Sequence, residues 1–380
     1  MAKYAKLGNL GEIFIGLTYK PENVSPEGTI VLRSNNIQDG ALVFDDVVRV
    51  NCPVRKNLIV QPNDILMCSR NGSAKLVGKC TLLSEMSEVM TFGAFMTIIR
   101  TPYNGYLRYF FDSSAFRNQI KGSATTTINQ ITRKMLDEIQ VPIFDSETQE
   151  RASKNFEKIS ALIALRKGQL IKLDQLVKSR FIELFGECEE HKRLEEYAFL
   201  ITKGASPKWQ GVDYRDEGTL FVTSENVREG YLDLSKRKYL DDKINETQPR
   251  SMLKRNDILI NIVGSSIGRA AVYDCDDVAN INQAVALVRV DYSQINRLYL
   301  LTFLNSSQAI EMYGSMKKGG ARDNLSLQNI SDLQIPVAPI ELQRQFADFV
   351  KQTQKSKLAI QQSLDKLETL KKSLMQEYFG

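Results

Sequence analysis

Few residues in this chain could carry out chemistry, and they are scattered. The only histidine is His191; a Ser-His-Asp triad would have to use it, yet no Gly-x-Ser-x-Gly nucleophile motif is present. Cys188 and His191 are spaced like metal ligands, but a zinc site needs three or four ligands and this pair supplies two. We expect the pair in a surface loop, and we predict neither a hydrolase triad nor a metal site.

Motifs for nucleotide binding and methyl transfer are also missing. Gly78-Lys79 is followed by Cys80, whereas a phosphate-binding loop continues with Ser or Thr. Residues 101–103, Thr-Pro-Tyr, lack the Asp/Asn-Pro-Pro-aromatic motif that adenine amino methyltransferases need. No Gly-x-Gly-x-x-Gly motif follows a predicted strand. The sequence therefore predicts a non-catalytic chain that binds no cofactor of its own.

The length and composition are those of a multidomain globular protein. The 380 residues are enough for two or three domains, and the apolar and charged fractions, 43% and 25%, are ordinary. The net charge is +5, but residues 187–340 carry a net charge of −3. A mildly basic chain permits a nucleic-acid partner without requiring one, and the acidic segment counts against a simple phosphate-binding protein.

The cysteines and the N-terminal residues bear on the cellular compartment. The five cysteines are an odd number without C-x-x-C spacing, which favours a reduced, cytoplasmic protein. The first residues lack the uninterrupted apolar core of a signal peptide. No run of eighteen apolar residues occurs, so we expect no membrane span.

An internal repeat is the most informative feature of the sequence. The tetrapeptide Ile-Gln-Val-Pro at 139–142 recurs as Leu-Gln-Ile-Pro at 333–336, 194 residues later. At the same offset, residues 147–186 and 341–380 share 11 identities without a gap. Chance would give about two or three at ordinary composition. The chain is a tandem duplication, which predicts a pseudo-two-fold molecule.

The preceding part of each half repeats more loosely. The segment S-x-N-I-x-x-G-x-L, which begins at Ser34, corresponds to S-x-N-V-x-x-G-x-L from Ser224, at an offset of 190 residues. The tetrapeptide Asn-Asp-Ile-Leu occurs at 63–66 and again at 256–259, at an offset of 193 residues. Changing offsets indicate insertions, which collect in loops. Each half therefore combines a variable domain with a segment that is closely similar in the two halves.

The closely repeated segment, residues 147–186 and 341–380, is predicted to be a long helix. Its apolar residues recur on alternating three- and four-residue steps, the heptad pattern of a coiled coil. We expect the two copies to pair antiparallel, with the layers at Leu173 and Leu367 buried. Two amphipathic helices packed on separate cores are the alternative. The predicted seam residues are Ile163, Leu170, Leu173, Val177, Ile360, Leu364, Leu367 and Leu374.

The variable domains are predicted to be mixed and rich in short strands separated by glycine turns. The predicted strands are Thr29–Leu32, Asp64–Cys68, Phe95–Arg100, Leu220–Thr223, Asp257–Ile262 and Ala284–Val290, and the predicted short helices are Tyr106–Phe111 and Arg297–Asn305. The fold class is thus two copies of an α/β (α+β) domain joined by an antiparallel coiled coil. The predicted boundaries are 1–146 and 187–340 for the domains and 147–186 and 341–380 for the helices.

The order of these motifs, more than any single one, resembles the specificity subunit of type I restriction-modification enzymes. The resemblance runs from end to end of the chain, and it includes the second half's glycine turn, Gly264-Ser-Ser-Ile-Gly268, and the Glu-x-Gln that begins each helix. It implies two target recognition domains, each of which reads one half of a split DNA site. It also implies that the coiled coil sets the gap between the halves. A helix of about 40 residues spans roughly 60 Å, and half-sites one DNA turn apart lie roughly 34–36 Å apart, so the helices are long enough.

The resemblance also implies partners. In that family the helices dock two methyltransferase subunits, which carry S-adenosylmethionine and methylate adenine, and a restriction and translocase subunit that uses ATP and Mg joins them. The chain itself would bind double-stranded DNA and no membrane. Because the two domains differ strongly between the matched motifs, we expect the two half-sites to differ.

Polar and basic side chains in the glycine-marked loops are the candidates for base contacts, since Arg pairs with guanine and Asn with adenine. For Asn36 and Asn226 a turn role is the preferred interpretation. Both interpretations are equally favoured for Arg70, Arg269 and Arg322. The candidates in the first domain are Ser34, Asn35, Asn36, Arg70, Asn71, Lys75, Lys121, Thr125, Thr126 and Asn129. Those in the second are Thr223, Ser224, Asn226, Ser265, Ser266, Arg269, Lys317, Lys318, Arg322 and Asn324.

Two other functions remain open at this point. One is a specificity module of a restriction-methylation enzyme outside type I, which would have the same DNA role and other partners. The other is a coiled-coil scaffold that binds proteins and no DNA. Binding of random DNA in the presence of a methyltransferase partner distinguishes the scaffold from the DNA-binding functions.

Overall fold

The computed structural model describes residues 3–122, 129–316 and 324–380. The chain forms two compact units. The first is Met1–Lys167 with Gln362–Gly380, and the second is Gly168–Gln361. Each unit therefore contains one mixed domain and a part of each long helix. The functional division at residues 146, 186 and 340 stays a prediction.

The first unit is a mixed domain of short strands and helices. Its strands are β1 Lys3–Lys6, β2 Glu12–Ile15, β3 Val24–Leu32, β4 Ile37–Gln38, β5 Ala41–Leu42, β6 Val48–Val50, β7 Ile65–Cys68, β8 Cys80–Leu82, β9 Met90–Phe92, β10 Met96–Arg100 and β11 Gln140–Ile143. Its helices are α1 Asn104–Phe110, α2 Ser114–Gly122 and α3 Arg133–Glu138, followed by the start of the long helix α4 Ser146–Phe185.

Two sheets and two strand pairs organise the first unit. One sheet has the strand order β2-β10-β7-β8, with antiparallel neighbours throughout. The other has the order β6-β3-β9, in which β3 and β9 run parallel. The strand β1 pairs with β11, and β4 pairs with β5. All four residues of β7 are buried, so this strand lies in the core.

The second unit has a similar order of elements, with an additional strand, β14, and an additional helix, α5. Its strands are β12 His191–Arg193, β13 Ala198–Lys203, β14 Tyr214–Arg215, β15 Thr219–Val222, β16 Tyr239–Leu240, β17 Ile258–Asn261, β18 Ala270–Val272, β19 Ala279–Ile281, β20 Val285–Val290 and β21 Gln334–Pro336. Its helices are α5 Lys243–Thr247, α6 Arg297–Leu304, α7 Ser307–Met316 and α8 Leu327–Ser331, and the long helix α9 Ile340–Phe379 begins in this unit.

The sheets of the two units share most of their topology, and the sheet β14-β16-β15-β19 of the second unit has one strand, β14, more than its counterpart β6-β3-β9. The order β13-β20-β17-β18 repeats β2-β10-β7-β8, and the parallel pair β15–β19 repeats β3–β9. The pair β12–β21 repeats β1–β11. The predicted fold class, two copies of a mixed α/β domain with two long helices packed together, is confirmed.

A buried ion pair explains the repeated Asn-Asp-Ile-Leu motif. In the first unit, the Asp64 side chain is 1% exposed, and each of its oxygens accepts a hydrogen bond of 2.7 Å from Arg100 of β10. The carboxylate also accepts the backbone N–H of Gln61 at 2.8 Å. The preceding Asn63 has φ = 67°, a left-handed conformation that asparagine tolerates better than most residues. The motif thus begins β7 and attaches it to β10.

The second unit repeats this arrangement. Asp257 accepts two hydrogen bonds of 2.7 Å from Arg289 of β20 and one of 2.7 Å from the backbone N–H of Lys254. Asn256 has φ = 75°. The duplication found in the sequence therefore extends to individual buried contacts.

The long helices pair antiparallel within each unit. In the first unit, the Phe156 ring near the start of α4 stacks on Phe379 at the end of α9, with centroids 5.8 Å apart. In the second unit, Phe181 near the end of α4 packs on Phe346 near the start of α9, at 5.5 Å. The start of each helix thus lies beside the end of the other, which confirms the predicted direction.

The predicted seam is less buried than expected. Only Leu364 is fully buried, with 5% of its surface exposed. The other predicted seam residues are half-buried: Ile163, Leu170, Leu173, Val177, Ile360, Leu367 and Leu374. The expectation of buried Leu173 and Leu367 layers is wrong, because a side chain between only two helices stays open to solvent at the sides of the seam. The tight packing lies at the aromatic ends of the helices instead.

The Glu-x-Gln motif fixes the start of each long helix. The side-chain amide of Gln149 donates a hydrogen bond of 2.7 Å to the carbonyl of Phe144, and Gln343 donates one of 2.8 Å to that of Ala338. Gln343 also accepts the backbone N–H of Asn296 at 2.8 Å. These bonds hold the turn before each helix, which explains why both copies carry glutamine here.

Candidate nucleic-acid interface

The first predicted turn asparagine is buried and fully used inside its own loop. Asn36 is 1% exposed, and its side-chain oxygen accepts the backbone N–H of Arg33 at 2.8 Å. Its amide donates to the carbonyls of Val43 and Asp46, each at 3.0 Å. Since these bonds use both polar atoms of the side chain, they favour the turn interpretation over a base contact.

The asparagine of the second unit makes the same kind of bonds. The side-chain oxygen of Asn226 accepts the backbone N–H and the hydroxyl of Thr223 at 2.9 and 3.1 Å. Its amide donates to the carbonyl of Asp233 at 3.0 Å. Thr223 is 7% exposed, so its hydroxyl is also used internally. For Thr223 and Asn226 these hydrogen bonds again favour a structural role.

Four predicted residues of the first unit lie together, and we call them the first polar corner: Ser34, Arg70, Asn71 and Asn129. The amide of Asn71 donates to the hydroxyl of Ser34 at 3.2 Å. The backbone N–H of Asn71 donates to the carbonyl of Asn129 at 3.2 Å, and Arg70 forms a β-bridge with Gln130. The corner gathers three loop segments that are far apart in the sequence.

The Arg70 side chain is the exposed cation of this corner. Its guanidinium carbon lies 5.2 Å from the centroid of the Phe95 ring, and its backbone N–H donates to the Phe95 carbonyl at 3.1 Å. Phe95 itself is 57% exposed. A guanidinium held on a ring face is stabilised there while its N–H donors stay at its edge, available to a ligand.

The remaining described candidates of the first domain lie outside the first polar corner. Asn35 is exposed and donates to the Asp46 carboxylate at 3.1 Å. Lys75 is exposed in the loop that follows Asn71. Lys121 is exposed in the last turn of α2.

The second unit has an equivalent group, which we call the second polar corner: Ser224, Ser265, Ser266 and Asn324. The fully buried Asn261 connects two segments of this corner: its side-chain amide donates to the carbonyl of Ser224 at 3.0 Å and to the hydroxyl of Ser266 at 3.1 Å. Ser265 is exposed in the same turn, Gly264–Ser266.

The two corners occupy corresponding positions in the repeat. Val263 forms a β-bridge with Asn324, as Arg70 does with Gln130, and position 263 lies 193 residues after position 70. Arg269 is exposed beside the second corner, and its backbone N–H donates to the carbonyl of Ser266 at 3.2 Å. The framework of the corner is therefore repeated, while the side chains on it differ.

Five candidates lie outside the described residues. They are Thr125, Thr126, Lys317, Lys318 and Arg322. Their proposed contacts with DNA stay predictions.

Three residues at the corners were missed by sequence reasoning. Phe95 was assigned to a strand, but the strand starts at Met96, and an apolar residue in a turn has the same type as a core residue. Lys79 donates to the carbonyl of Ser34 at 3.2 Å, and Asn261 lies at the end of an apolar strand. A polar residue at the end of an otherwise apolar strand was a usable signal for Asn261.

Burial controls the thiol chemistry near the first polar corner. Burial raises the pKa of the Cys68 thiol, and the nearby charge of Lys79 offsets this only in part. Burial raises the pKa of Cys80 to about 12. Both thiols are therefore protonated at neutral pH and are poor nucleophiles.

The two residues spaced like metal ligands, Cys188 and His191, do not both lie in a surface loop. His191 begins β12 and pairs with Pro336, and its Nδ1 lies 3.0 Å from the carbonyl oxygen of Glu189. The surface-loop expectation is therefore wrong for His191, because the short strand pair was not visible in the sequence. In residues 3–122, 129–316 and 324–380 no group of three or more His, Cys, Asp or Glu side chains is placed to hold a metal ion. Over the same residues no helix has the length and apolar character needed to cross a membrane.

Comparison with known proteins gives a consistent result. The family model of the type I restriction modification DNA specificity domain matches residues 199–371. The chain is 23% identical over 260 residues to the type I restriction enzyme EcoBI specificity subunit of Escherichia coli, a match that covers 60% of this chain and about half, 54%, of that protein. This chain is similar to type I specificity subunits. The type I restriction enzyme MjaVIII specificity subunit of Methanocaldococcus jannaschii is 21% identical over 342 residues, which cover 84% of this chain and 79% of that one.

Solved structures share the fold of this chain. A chain from a structure that describes complex assembly and conformational transition of the type I restriction-modification system aligns with a TM-score of 0.64 at 16% identity, over 99% of this chain and 97% of that one. The type I restriction-modification S subunit from M. genitalium aligns with a TM-score of 0.58 at 14% identity, over 100% and 96%. At these identities the likeness concerns the fold alone. The resemblance predicted from the order of the motifs is confirmed.

Proposed function

We propose that this chain is the DNA-recognition subunit of a type I restriction-modification complex and that it reads a bipartite, asymmetric site. The observation that carries the proposal is the pair of polar corners. Each corner sits at the same position of its repeat, is held by the same kind of backbone bridge, and presents polar side chains from several loops. Loops on a rigid scaffold are the usual position for residues that bind a ligand.

The asymmetry of the proposed site follows from the side chains on the two corners. The first carries Arg70, which suits guanine by bidentate geometry. Its neighbour Asn71 donates its amide to Ser34 and accepts the backbone N–H of Ser73, so it serves the corner itself. The corresponding positions of the second are Val263 and Gly264, and its exposed polar groups are Ser265 and the nearby Arg269. Two recognition surfaces with different donors and acceptors bind different base sequences.

The charge distribution supports a role within a larger complex. Residues 187–340 carry a net charge of −3, although phosphate contacts dominate the affinity of most DNA-binding proteins. We therefore propose that partner subunits supply many of the phosphate contacts for the second half-site. The chain would then contribute base recognition more than affinity.

The long helices offer surface for partner subunits. Ile171 and Ile182 are 60% and 61% exposed and lie eleven residues apart on α4 in the second unit, about three helical turns, so they share one face. Exposed apolar rows of this kind mark interaction sites. We propose that they dock the two methyltransferase subunits, and that the restriction and translocase subunit joins the assembled complex.

The chemistry of the complex belongs to its partners in this proposal. Methyl transfer with S-adenosylmethionine and cleavage with ATP and Mg would take place on other subunits, and this chain would bind none of these cofactors. The five cysteines, Cys52, Cys68, Cys80, Cys188 and Cys275, are free thiols, which suits the reducing cytoplasm in which we place the complex.

Selection from random DNA tests the proposed function. The full chain is purified with its methyltransferase subunit and incubated with a pool of random duplexes, and the retained duplexes are sequenced. We expect two short blocks of fixed sequence separated by a spacer of fixed length. The chain alone, given DNA, S-adenosylmethionine, ATP and Mg, should neither methylate nor cleave DNA above a buffer control.

A matched pair of arginine variants sharpens this test. Arg70→Ala should relax one block and Arg269→Ala the other, each with a loss of about 1–3 kcal/mol of discrimination at the affected base pair. One continuous block, or two variants that relax the same block, would contradict the proposal. Retention of no preferred sequence would contradict it as well.

A further inference from the structure

The first unit contains a polar cavity next to the first polar corner. It has a volume of about 610 Å³ and lies among the loop at Asp39, the strand β8, the helix α1 and the two long helices. Its lining carries five cationic side chains, Lys75, Lys79, Arg108, Arg117 and Lys371, and three carboxylates, Asp39, Asp112 and Glu157.

The charges of the lining do not cancel. Arg108 is 12% exposed at its side chain and forms an ion pair of 2.7 Å with Asp112. Once this pair is set aside, four cations and two carboxylates remain, which leaves a surplus of two positive charges. The Arg117 guanidinium donates to the carbonyl of Val77, and the described residues give Lys371 no hydrogen bond or ion pair.

Two further features suit an anionic ligand. Burial lowers the pKa of Lys371; the carboxylate of Asp112 opposes this effect, and the positive charge of Arg108 adds to it. A bound anion would offset the burial and the repulsion from Arg108. The hydroxyl of Ser160, also in the lining, is buried without a hydrogen-bond partner among the described residues. A buried hydroxyl without a partner is costly unless a ligand or a water molecule completes its bonding.

The second unit provides an internal comparison. The pattern Tyr-Leu-x-x-Phe-x-x-Ser-Ser at 106–114 recurs at 299–307, so Arg108 corresponds to Leu301 and Arg117 to Ile310. In the long helices Lys371 corresponds to Val177. Three cations of the cavity are thus apolar in the other copy. The fold does not need charge at these positions, so their charge in the first unit calls for another explanation.

We propose that this cavity binds the phosphate group of an anionic ligand. A phosphate dianion matches the surplus of two charges, and its oxygens accept hydrogen bonds from guanidinium, ammonium and hydroxyl donors such as those of Arg117, Lys371 and Ser160. The phosphate belongs either to a small free ligand or to the backbone of bound DNA. The proposal does not depend on which bases the two polar corners recognise.

Binding of inorganic phosphate to the full chain tests this proposal. Calorimetric titration should show one site per chain, and the melting temperature should rise with phosphate more than with sodium chloride of equal ionic strength. The variant Lys371→Val introduces the residue that the corresponding position, Val177, carries in the second unit, so it should fold normally. It should weaken phosphate binding about tenfold or more, as expected when a charge-assisted hydrogen bond is lost.

Lys372→Val is the matched control, because Lys372 is the exposed neighbour of Lys371 and does not line the cavity. This variant should bind phosphate as the unchanged protein does. The proposal is overturned if phosphate acts no differently from chloride, or if Lys371→Val binds it as tightly as Lys372→Val. Repeating the titration with saturating duplex DNA separates the two sources. Loss of phosphate binding then assigns the site to a backbone phosphate, and unchanged binding assigns it to a free ligand.

Discussion

The residues that hold each domain together are as strongly duplicated as the sequence motifs. The buried carboxylates Asp64 and Asp257 each accept two hydrogen bonds from one arginine and a third from a backbone N–H. A buried charge that keeps all of these partners is tolerated, whereas a charge that loses its partner is strongly destabilising. These aspartates therefore belong to the scaffold and not to a site.

Asp64→Asn and Asp257→Asn should each destabilise the protein. Each replacement leaves an arginine, Arg100 or Arg289, that is mostly buried without its carboxylate, and we expect a loss of about 3 kcal/mol of unfolding free energy. Urea denaturation followed by circular dichroism measures the effect. Asp276→Asn is the control, because Asp276 is 85% exposed in its ion pair and its loss should change little. Equal stability of all three variants would contradict the buried-pair account.

Asn36 and Asn35 offer a comparison between a structural and an exposed asparagine. Asn36→Ala removes three hydrogen bonds from a buried loop, so we expect it to lower the unfolding free energy by about 2–3 kcal/mol. Asn35→Ala should leave stability nearly unchanged, since Asn35 is exposed. Thermal melting compares the two. If Asn36→Ala melts like Asn35→Ala, the turn interpretation of Asn36 is wrong.

Sequence reasoning could assign Asn36 to a turn because asparagine followed by a glycine three to four residues later is a local signal. It could not find the stacking of Arg70 on Phe95. That contact joins the end of β7 to the turn before β10, and no local pattern pairs these positions. Residue roles that depend on contacts distant in sequence therefore had to come from the structure.

At the scale of elements, the apolar strands of the core, the two long helices and two of the short helices, α1 and α6, were predictable. The predicted strands at 64–68 and 284–290 are observed as Ile65–Cys68 and Val285–Val290, and the helix predicted at 147–186 is observed as Ser146–Phe185. Their apolar periodicity is strong enough to be recognised in a single sequence. The short outer strands were missed, since three or four residues with mixed polarity carry no usable period. No pattern in the sequence predicted the parallel pairing of β3 with β9.

The aromatic ends of the long helices should contribute more stability than their middle. Phe379 is 3% exposed and packs on Tyr106, Phe110 and Phe156, so Phe379→Ala should cost about 3–5 kcal/mol. Leu370→Ala, in the same helix at a side chain 48% exposed, should cost much less. Urea denaturation of both variants measures the difference. A larger effect for Leu370→Ala would contradict the packing described here.

At the scale of the whole molecule, the duplication links fold and function. Each unit repeats most of one sheet topology, one buried ion pair and one polar corner, but the exposed side chains of the corners differ. A duplicated scaffold with different surfaces is suited to two half-sites of different sequence. The sequence alone could establish the duplication because its offsets are nearly constant. It could not say which loop residues face a common ligand, since loops change in length between the copies.

The most direct test of the central claim is a domain exchange read by methylome sequencing. Residues 1–146 are replaced by the first domain of another type I specificity subunit, and the variant is expressed with the methyltransferase subunit of this chain. Base contacts carry the sequence information, so the exchange should rewrite one half of the methylated site. The other half and the spacer length should stay as they were. A site in which both halves change, or in which neither changes, would contradict the account.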